Sequence, residues 1–419
     1  MIKRKITNDL VFWKKNHKCE ALLIKGARQV GKTTIVREFA SNNYKHFVEI
    51  NFEQDPVAKD AFVGTRDART IISRLSAMGY GEFVAHETLV FFDEIQSCPN
   101  ARTAIKFLVQ DDSYDFIESG SLLGINYGDV SSYPVGFESQ IEMFPLDFEE
   151  FLWANGVAQQ VIDDLRLVYE NGNSLDPILH DQLMKHYRNF LVVGGMPKVV
   201  ATYLENLDSY RLDIAKYAAS QKTKAKRFFD AIPSQLSKAH KRYVLADLEK
   251  SGNMQKYGDA AQWLNDAGVA YFCYNTHSLE LPFEQYENLN LFKVYLLDTG
   301  LLCSMWSGKI QWEILQGEID INEGALTENF VANELIKHGH YLHYYDHKSR
   351  NELDFLIAEN NSLTILEVKS GSSYKQHAAL DNALANQSER ISRAIVLSRF
   401  LSEKDNLIEY LPLYITMFL

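Results

Sequence analysis

Short apolar runs recur through the first third of the chain, and each is followed by small or polar residues. Five such runs predict strands: Ala21–Ile24, His46–Phe52, Leu89–Phe92, Asp115–Ser121 and Gln140–Leu146. Between them, residues 34–40 and 67–78 have helical spacing of apolar positions. Apolar strands that alternate with helices are typical of a parallel sheet that is covered on both faces. This part of the chain is therefore predicted to be an α/β domain.

The pattern changes after residue 148, where a mostly polar segment with helical spacing extends to about residue 220. It is predicted to be a helical lid or connector. Farther on, Tyr243–Leu248 is amphipathic, and Lys256–Gly268 predicts a helix that ends at a glycine. Val269–Tyr274 and Leu291–Leu297 then predict the two strands of a hairpin. Helices followed by a hairpin are typical of a winged helix, which serves either as a DNA-binding module or as a joint between proteins or domains.

The last part of the chain predicts one helix followed by three strands. The helix is Glu328–Leu335, and the strands are Tyr341–Tyr345, Glu352–Ile357 and Leu363–Lys369. The final segment, Leu407–Leu419, is apolar and is expected to pack on the body of the protein.

The segment from Gly26 to Thr33 carries the pattern G-x-x-x-x-G-K-T, the Walker A phosphate-binding loop. Its glycines allow successive backbone N–H groups to point at one phosphate chain, and the following helix begins at the phosphates. Lys32 is predicted to contact the β- and γ-phosphates of ATP, and the Thr33 hydroxyl to hold Mg²⁺. The alternative is an ordinary strand–loop–helix turn. The predicted nucleotide-binding residues are Gly26, Ala27, Arg28, Gln29, Val30, Gly31, Lys32, Thr33 and Thr34.

Two carboxylates, Asp93 and Glu94, follow the apolar run that ends at Phe92, which is the Walker B pattern. Ligands of open α/β sheets bind at the carboxyl ends of the strands. Asp93 is predicted to hold Mg²⁺ and Glu94 to act as the general base for the attacking water. Ser119 or Ser121, at the end of the next strand, could contact the γ-phosphate or the water, although a simple strand-to-loop turn explains them equally well.

Composition narrows the class of protein. The chain has 419 residues and a net charge of −12, so it is not a general nucleic-acid coat. Its four cysteines are far apart, which argues against a zinc site or a disulfide scaffold and favours a cytoplasmic location. No long apolar stretch predicts a signal or a membrane span. Two local basic runs, 222–227 and 238–242, are either solvated surface or a DNA contact.

The motifs together resemble one prokaryotic family, which joins an AAA-type ATPase domain to a C-terminal domain of unknown function, DUF4143. The motifs that carry this resemblance are residues 26–34, Phe92–Gln96, Ser119–Ser121, Phe144–Leu152, Gly194–Pro197 and Asp298–Leu302. The family usually has an arginine after the glycine that precedes the Pro-Leu strand, whereas here Phe137 follows Gly136. If that arginine senses the γ-phosphate, hydrolysis is expected to be slow or to use Arg28, Arg102 or another arginine.

A second chemical pattern lies near the C-terminus. Asp354, followed by Glu367 and Lys369 on the next strand, resembles the core of PD-(D/E)xK nucleases, and Glu328 resembles the additional helical carboxylate of that fold. Glu367 and Lys369 share one face of a strand. The resemblance implies that Asp354, Glu367 and Glu328 bind a second divalent metal, Mg²⁺ or Mn²⁺, and that Lys369 orients the attacking water. The alternative is a lysine–carboxylate cluster on a sheet surface.

These patterns predict four segments. They are a P-loop ATPase domain at 1–152, a helical connector at 153–235, a winged helix at 236–305 and a nuclease-like α/β domain at 306–419. The predicted function is that of an ATP-binding, Mg-dependent ATPase whose nucleotide state controls the C-terminal half, which binds or cuts nucleic acid. The alternative is an ATP-dependent switch that binds a protein or DNA without cleavage. The nucleic acid, the pathway and the oligomeric state are left open by the sequence.

Overall fold

The computed structural model describes residues 2–17, 19–121, 136–201, 222–238, 240–306, 308–317, 323–346, 352–405 and 407–419. The chain forms two compact units. The first unit comprises Arg4–Phe144 with Asp266–Gly268, and the second comprises Met1–Lys3, Pro145–Asn265 and Val269–Leu419. Each unit is described separately below.

The first unit is a five-stranded sheet with helices between its strands. Its helices are α1 (Ile6–Asn16), α2 (Lys32–Asn43), α3 (Ala68–Ala77) and α4 (Pro99–Gln110), with 3₁₀ helices at Pro56–Phe62 and Ile95–Ser97. Its strands are β1 (Ala21–Gly26), β2 (His46–Asn51), β3 (Thr88–Asp93), β4 (Asp115–Ser121) and β5 (Glu138–Glu142). The strand order is β2-β3-β4-β1-β5, and all pairs are parallel. The predicted α/β fold with a parallel sheet is confirmed.

The apolar runs of the sequence become the buried strands of this sheet. Every residue of β3 is buried, as the continuous run requires. Phe92 packs against Phe52, Phe62 and Phe116 with ring centroids 5.5, 5.7 and 5.9 Å away. β5 lies earlier than the predicted strand at 140–146, because Pro145 has no backbone N–H to donate to a sheet.

The second unit contains ten of the helices of the described chain, joined to an eight-stranded sheet. Its helices are α5 (Phe148–Ala154), α6 (Gln159–Glu170), α7 (Pro177–Val193), α8 (Pro197–Ala201), α9 (Lys222–Leu236), α10 (Met254–Asp266), α11 (Thr299–Ser304), α12 (Gly308–Gln316), α13 (Glu323–Lys337) and α14 (Ala378–Gln387). Its strands are β6 (Ala270–Thr276), β7 (Glu287–Leu296), β8 (His343–Tyr345), β9 (Leu353–Glu359), β10 (Ser362–Val368), β11 (Ile391–Ser398), β12 (Glu403–Asp405) and β13 (Ile408–Pro412). The apolar end of the chain is buried as predicted, in β13 and in a 3₁₀ helix at Leu413–Phe418.

The hairpin predicted for the winged helix forms, but it belongs to this larger sheet. The strand order is β12-β13-β11-β10-β9-β8-β6-β7, so β6 and β7 continue the sheet of the predicted nuclease-like segment. The link is a parallel pairing of β6 with β8, in which Tyr274 lies beside His343. The predicted division between residues 305 and 306 therefore does not separate two sheets. Long-range strand pairing of this kind leaves no local signal in the sequence.

Several predicted helices are confirmed and one is wrong. The segment from 148 onward is helical as expected, although residues 202–221 of it lie outside the described part of the chain. The amphipathic segment 243–248 forms only a short 3₁₀ helix at Leu245–Asp247. Tyr243 instead packs its ring against Phe228 at a centroid distance of 4.2 Å. The apolar side chain of Tyr243 is therefore buried although this segment does not form a helix. No helix in the described ranges combines the length and apolarity that a bilayer span needs.

The three later motifs that carry the family resemblance, at residues 144–152, 194–197 and 298–302, meet in the second unit, where they form a buried joint. Asp147 caps α5 in a capping box with Glu150, and the buried Glu334 carboxylate accepts from the Phe148 N–H at 3.2 Å. The Asp298 carboxylate caps α11 and also accepts from the Gly195 N–H at 2.6 Å. The Gly195 carbonyl in turn accepts from the Leu146 N–H at 2.7 Å. These motifs therefore have a structural explanation that does not involve chemistry.

We predict that Gly195→Ala destabilises the second unit. A Cβ at this position would lie 2.1 Å from the Leu146 carbonyl oxygen, and backbone cannot move aside cheaply. The expected loss is about 1–3 kcal/mol of unfolding free energy, the usual cost of overpacking. Urea denaturation followed by circular dichroism measures it. Gly371→Ala is the matched control, because its Cβ would meet nothing within 4 Å. Equal stability of the two variants would contradict the tight joint.

Candidate functional site

The Walker A loop connects β1 to α2 at the carboxyl edge of the first sheet. The backbone of Gly26 lies against Met143, the residue that follows β5, since a Cβ there would be 2.2 Å from the Met143 carbonyl oxygen. Gly31, the last residue before α2, has φ 100°, a conformation that residues with a side chain rarely adopt. The first glycine of the motif is thus required by a close backbone contact, and the second by its backbone conformation. The loop ends at the N-terminus of a twelve-residue helix, where backbone N–H groups favour anions.

Lys32 folds back into its own loop. Its ammonium group donates to the carbonyl oxygens of Gly26 at 3.0 Å and Ala27 at 2.9 Å. The side chain is buried, and this burial lowers the pKa of Lys32 to about 8, although the carboxylates of Glu94 and Asp93 act in the opposite direction. The ammonium is therefore held by two neutral acceptors in the place from which it can reach a phosphate.

Arg4 ties the loop to the end of the sheet. Its guanidinium donates to the Val30 carbonyl at 3.0 Å and to the Phe144 carbonyl at 2.7 Å. The side chain is 8% exposed, so these contacts are shielded from water. Arg4 was not predicted as a site residue, because an arginine near the start of an amphipathic helix gives no signal of a long-range contact.

The Asp93 carboxylate joins the ends of three other elements. Oδ2 accepts from the Thr33 hydroxyl at 3.0 Å and from the Asn51 amide at 2.9 Å. Oδ1 accepts from the Ser119 hydroxyl. The structure therefore brings together both predicted magnesium ligands and Ser119; the side chain of Ser121 lies outside the described residues. Carboxylate and hydroxyl oxygens fit the preference of Mg²⁺ for hard oxygen ligands.

Asn51 and Gln96 belong to this site and were not predicted. Asn51 ends β2, which pairs with β3 so that Asn51 lies beside Asp93. Its position at a strand end on the same edge is the signal that could have found it. Gln96 donates from its side-chain amide to Glu94 Oε2. Glu94 itself has φ 53°, which is uncommon for a residue with a side chain and typical of functional sites.

The arginines proposed as substitutes for the missing family arginine differ in their surroundings. Arg102 is buried, and its guanidinium contacts both Glu118, at 2.6 Å, and Glu138. Arg28 is part of the nucleotide loop. It lies 3.8 Å from Glu53, and its charge contributes to lowering the pKa of Lys32. Phe137, which replaces the family arginine, packs against the core.

The C-terminal candidate residues lie on neighbouring strands of the second sheet. β9 and β10 are antiparallel with Phe355 opposite Leu366, so the next pair in this register is Asp354 and Glu367. Side chains of opposite residues share one face of a sheet at close distance. Lys369 Nζ is 3.0 Å from Glu367 Oε2, and the Val368 N–H donates to Asp354 Oδ2 at 2.9 Å. The predicted proximity of Asp354, Glu367 and Lys369 is therefore present in the structure.

Glu328 of α13 points into the same region, but its partners are not those of a metal ligand. Glu328 accepts from Tyr295 Oη at 3.1 Å and pairs with the Lys241 ammonium. Burial and the Asp354 carboxylate raise the pKa of Glu367 to about 8. Across the described ranges, no group of three or more His, Cys, Asp or Glu side chains is arranged to hold a metal ion. The predicted second divalent metal at Asp354, Glu367 and Glu328 thus has no structural support.

The residues of the second basic run, 238–242, pair with acidic side chains of the protein itself. Each basic side chain of this run lies near a carboxylate: Lys238 near Asp247, His240 near Glu352, Lys241 near Glu328 and Arg242 near Asp346. The first run is more open, with Lys226 exposed and Arg227 lying 3.2 Å from Glu249. The side chain of Lys222 lies outside the described residues. Ion pairing leaves fewer cations for phosphate contacts than the sequence indicates.

Comparison with known proteins assigns the same two halves. Residues 18–152 match the family model of an AAA domain, and residues 323–414 match that of a domain of unknown function, DUF4143. Residues 184–311 match a further domain of unknown function, DUF8612. The predicted combination of an AAA-type ATPase domain with a DUF4143 domain is confirmed. No curated protein matches the chain.

Several solved structures are similar to this chain. The Walker-type ATPase PABY2304 of Pyrococcus abyssi has 12% identity and a TM-score of 0.41, covering 73% of this chain and 96% of its own. The Aeropyrum pernix ORC1 protein, solved in complex with DNA, has 11% identity and a TM-score of 0.27, with coverages of 80% and 92%. The RuvB Holliday junction branch migration motor of Thermotoga maritima has 14% identity and a TM-score of 0.30, with coverages of 64% and 89%.

We predict that ATP binding takes up a proton at alkaline pH. Burial lowers the pKa of Lys32 to about 8 in the free protein, and the phosphates of ATP favour its charged form. At about pH 8.5 binding should therefore protonate Lys32, and affinity should fall as the pH rises further. Near pH 7 the amine is already charged, so this uptake should vanish. Calorimetry in buffers of different ionisation enthalpy measures it.

Two variants control this measurement. Lys32→Ala should abolish ATP binding while the fold remains intact. Lys45→Ala removes a surface lysine that pairs with Glu87 and should leave both affinity and proton uptake unchanged. Unchanged ATP affinity in Lys32→Ala would show that the nucleotide lies elsewhere.

Proposed function

We propose that this chain, with an AAA domain at residues 18–152, is a Mg-dependent ATPase whose nucleotide state acts on a second unit that binds a partner without cutting nucleic acid. The observation that carries the ATPase part is the convergence on Asp93. Thr33, Asn51 and Ser119 donate to one carboxylate beside the buried ammonium of Lys32. Such a set of groups fits a nucleotide triphosphate with its metal ion.

Binding would begin with Lys32 exchanging two neutral carbonyl acceptors for phosphate oxygens. The carbonyls of Gly26 and Ala27 accept hydrogen bonds from the ammonium without neutralising its charge. An anionic phosphate oxygen therefore binds the ammonium more strongly than these carbonyls do. The backbone N–H groups at the start of α2 supply further donors. When bound at Thr33 and Asp93, Mg²⁺ supplies positive charge to the phosphate oxygens.

Glu94 is the proposed general base, which takes a proton from the attacking water. Its carboxylate accepts a hydrogen bond from Gln96, which orients it and keeps it ready to accept a proton elsewhere. Arg28 is the arginine that we propose for charge stabilisation, since Arg102 is engaged with two buried glutamates. The absence of an arginine at Phe137 supports slow turnover, as expected of a switch rather than a motor.

The second unit is the proposed target of the nucleotide state. The chain passes from one unit to the other at Phe144–Leu146, immediately after the strand beside the phosphate loop. Arg4 binds the Phe144 carbonyl, and Lys337 donates to the Leu146 carbonyl at 2.9 Å. A change in the loop that moved Arg4 would therefore act on this short connecting segment.

Nucleic-acid cleavage by the C-terminal half is the competing proposal. The closeness of Asp354, Glu367 and Lys369 favours it. The partners of Glu328 and the pairing of the second basic run count against it. We therefore favour a binding role for the second unit.

The domain division at 1–152, 153–235, 236–305 and 306–419 stays a proposal for the functional segments of the chain.

We predict that Glu94→Gln binds ATP with unchanged affinity but hydrolyses it slowly. Glutamine keeps the shape and the contact with Gln96 but cannot accept the proton, and loss of a general base typically costs about 10²–10⁴-fold in rate. Phosphate release and nucleotide calorimetry separate the two effects. Glu87→Gln, a surface change in the same unit, should retain full activity. Normal turnover of Glu94→Gln would remove Glu94 from this role.

We predict that duplex DNA binds only weakly at about 50 mM salt, because most cations of the second basic run are paired internally. Fluorescence anisotropy with and without ATP tests this. The informative variant is the charge reversal Lys224→Glu with Lys226→Glu, which leaves the internal pairs intact. Tight, salt-sensitive binding that this variant abolishes would replace the protein-partner proposal with a nucleic-acid one.

A further inference from the structure

Lys293 is a charged residue inside an otherwise apolar stretch of β7. It lies in β7, in the run Leu291 to Leu296, and its side chain is completely buried. Burying an unpaired ammonium is very costly, so such a lysine requires anionic partners. Its function is not explained by the ATPase site, which belongs to the other unit.

The partners of Lys293 are the carboxylates of the C-terminal candidate site. Its Nζ lies 2.7 Å from Glu352 Oε1, 3.6 Å from Asp354 Oδ1 and 3.8 Å from Glu328 Oε2. The ammonium is thus surrounded by three carboxylates that come from two elements, α13 and the start of β9. Two of the three are residues that the nuclease resemblance assigns to a metal.

We infer that Lys293 is a built-in cation that takes the place of a divalent metal, so that this cluster is a closed ion network rather than a nuclease centre. Two further lysines complete it. Lys241 pairs with Glu328, and Lys369 lies 3.0 Å from Glu367. Each carboxylate that the resemblance assigns to the metal therefore already has an ammonium partner.

The balance of charge supports the same conclusion. Among the described residues, the cluster contains four carboxylates and three ammonium groups: Glu328, Glu352, Asp354 and Glu367, with Lys241, Lys293 and Lys369. With all groups ionised, the formal charge is −1. The three ammonium groups therefore already neutralise most of the carboxylate charge that a divalent cation would otherwise balance.

One oxygen of the cluster is still without a partner. Within the described part of the chain, Glu367 Oε1 is buried and accepts no hydrogen bond. A single oxygen does not form a chelate, and Asp354, which lies opposite, is already near Lys293 and the Val368 N–H. The ligand set for a hard divalent ion is therefore incomplete while Lys293 is present.

The experiment measures Mn²⁺ binding and thermal stability of the full chain without nucleotide. The wild-type protein should bind no Mn²⁺ at the cluster, so Asp354→Asn should leave its Mn²⁺ titration unchanged. Lys293→Met removes the cation and leaves three carboxylates facing each other, which should lower Tm. Lys293→Met should then bind one more Mn²⁺ per chain than the wild type, and added Mn²⁺ should restore its Tm. The double variant Lys293→Met with Asp354→Asn should show neither the additional Mn²⁺ nor the restored Tm.

Lys337→Met is the matched control. Lys337 is also a buried lysine, but among the described carboxylates it pairs only with Glu334, so Mn²⁺ should not restore its Tm. Mn²⁺ binding by the wild type that Asp354→Asn abolishes would overturn the inference, whatever the variants do. A folded Lys293→Met that gains no Mn²⁺ would overturn it as well. If Lys293→Met does not fold, Lys293→Gln takes its place. If neither variant folds, the comparison of the wild type with Asp354→Asn decides alone.

Discussion

The Asp93 carboxylate is the contact on which the first unit depends. Thr33, Asn51 and Ser119 arrive from three separate elements, and a single acidic group accepts a hydrogen bond from each. Thr33 lies just beyond the loop that follows β1, Asn51 ends β2, and Ser119 lies near the end of β4, so the sheet order brings the three donors to one edge. Because three donors share this one carboxylate, a metal ion or phosphate that displaces one hydrogen bond also alters the other two. Asp93 therefore both holds the site together and makes its hydrogen bonds responsive to a bound ligand.

The first unit could be predicted from the sequence because its signals are local. A phosphate loop, a run of apolar residues and a terminal carboxylate each lie within about ten residues, and the parallel sheet follows from their alternation. The second unit was harder, because its sheet joins strands far apart in the chain. β6 pairs with β8 although β7 and three α-helices, α11 to α13, lie between them in the described chain, and nothing near residue 270 indicates this neighbour. The hairpin was predicted correctly, whereas its place in a larger sheet was not.

The same contrast explains the candidate residues. Asp354, Glu367 and Lys369 could be predicted to meet, since they lie on adjacent strands joined by a short turn. Lys293 could not, because its partners lie on elements that follow it by more than thirty residues. A lysine inside an apolar strand was the available signal: it implies a buried anion, although not which one. The motifs of the second unit carried the family resemblance without indicating a role, and the structure shows that Asp147, Gly195 and Asp298 act as caps and close contacts.

Two buried lysines finally distinguish the two units. Lys32 is held by two neutral carbonyls, which stabilise the ammonium only weakly, and burial lowers its pKa. Lys293 is equally buried, but three carboxylates surround it and raise its pKa well above the ordinary value despite that burial. An ammonium of the first kind gains by meeting a phosphate, whereas one of the second kind would lose three partners by moving. The chain thus contains one lysine arranged to exchange its contacts, in the first unit, and one arranged to keep them, in the second.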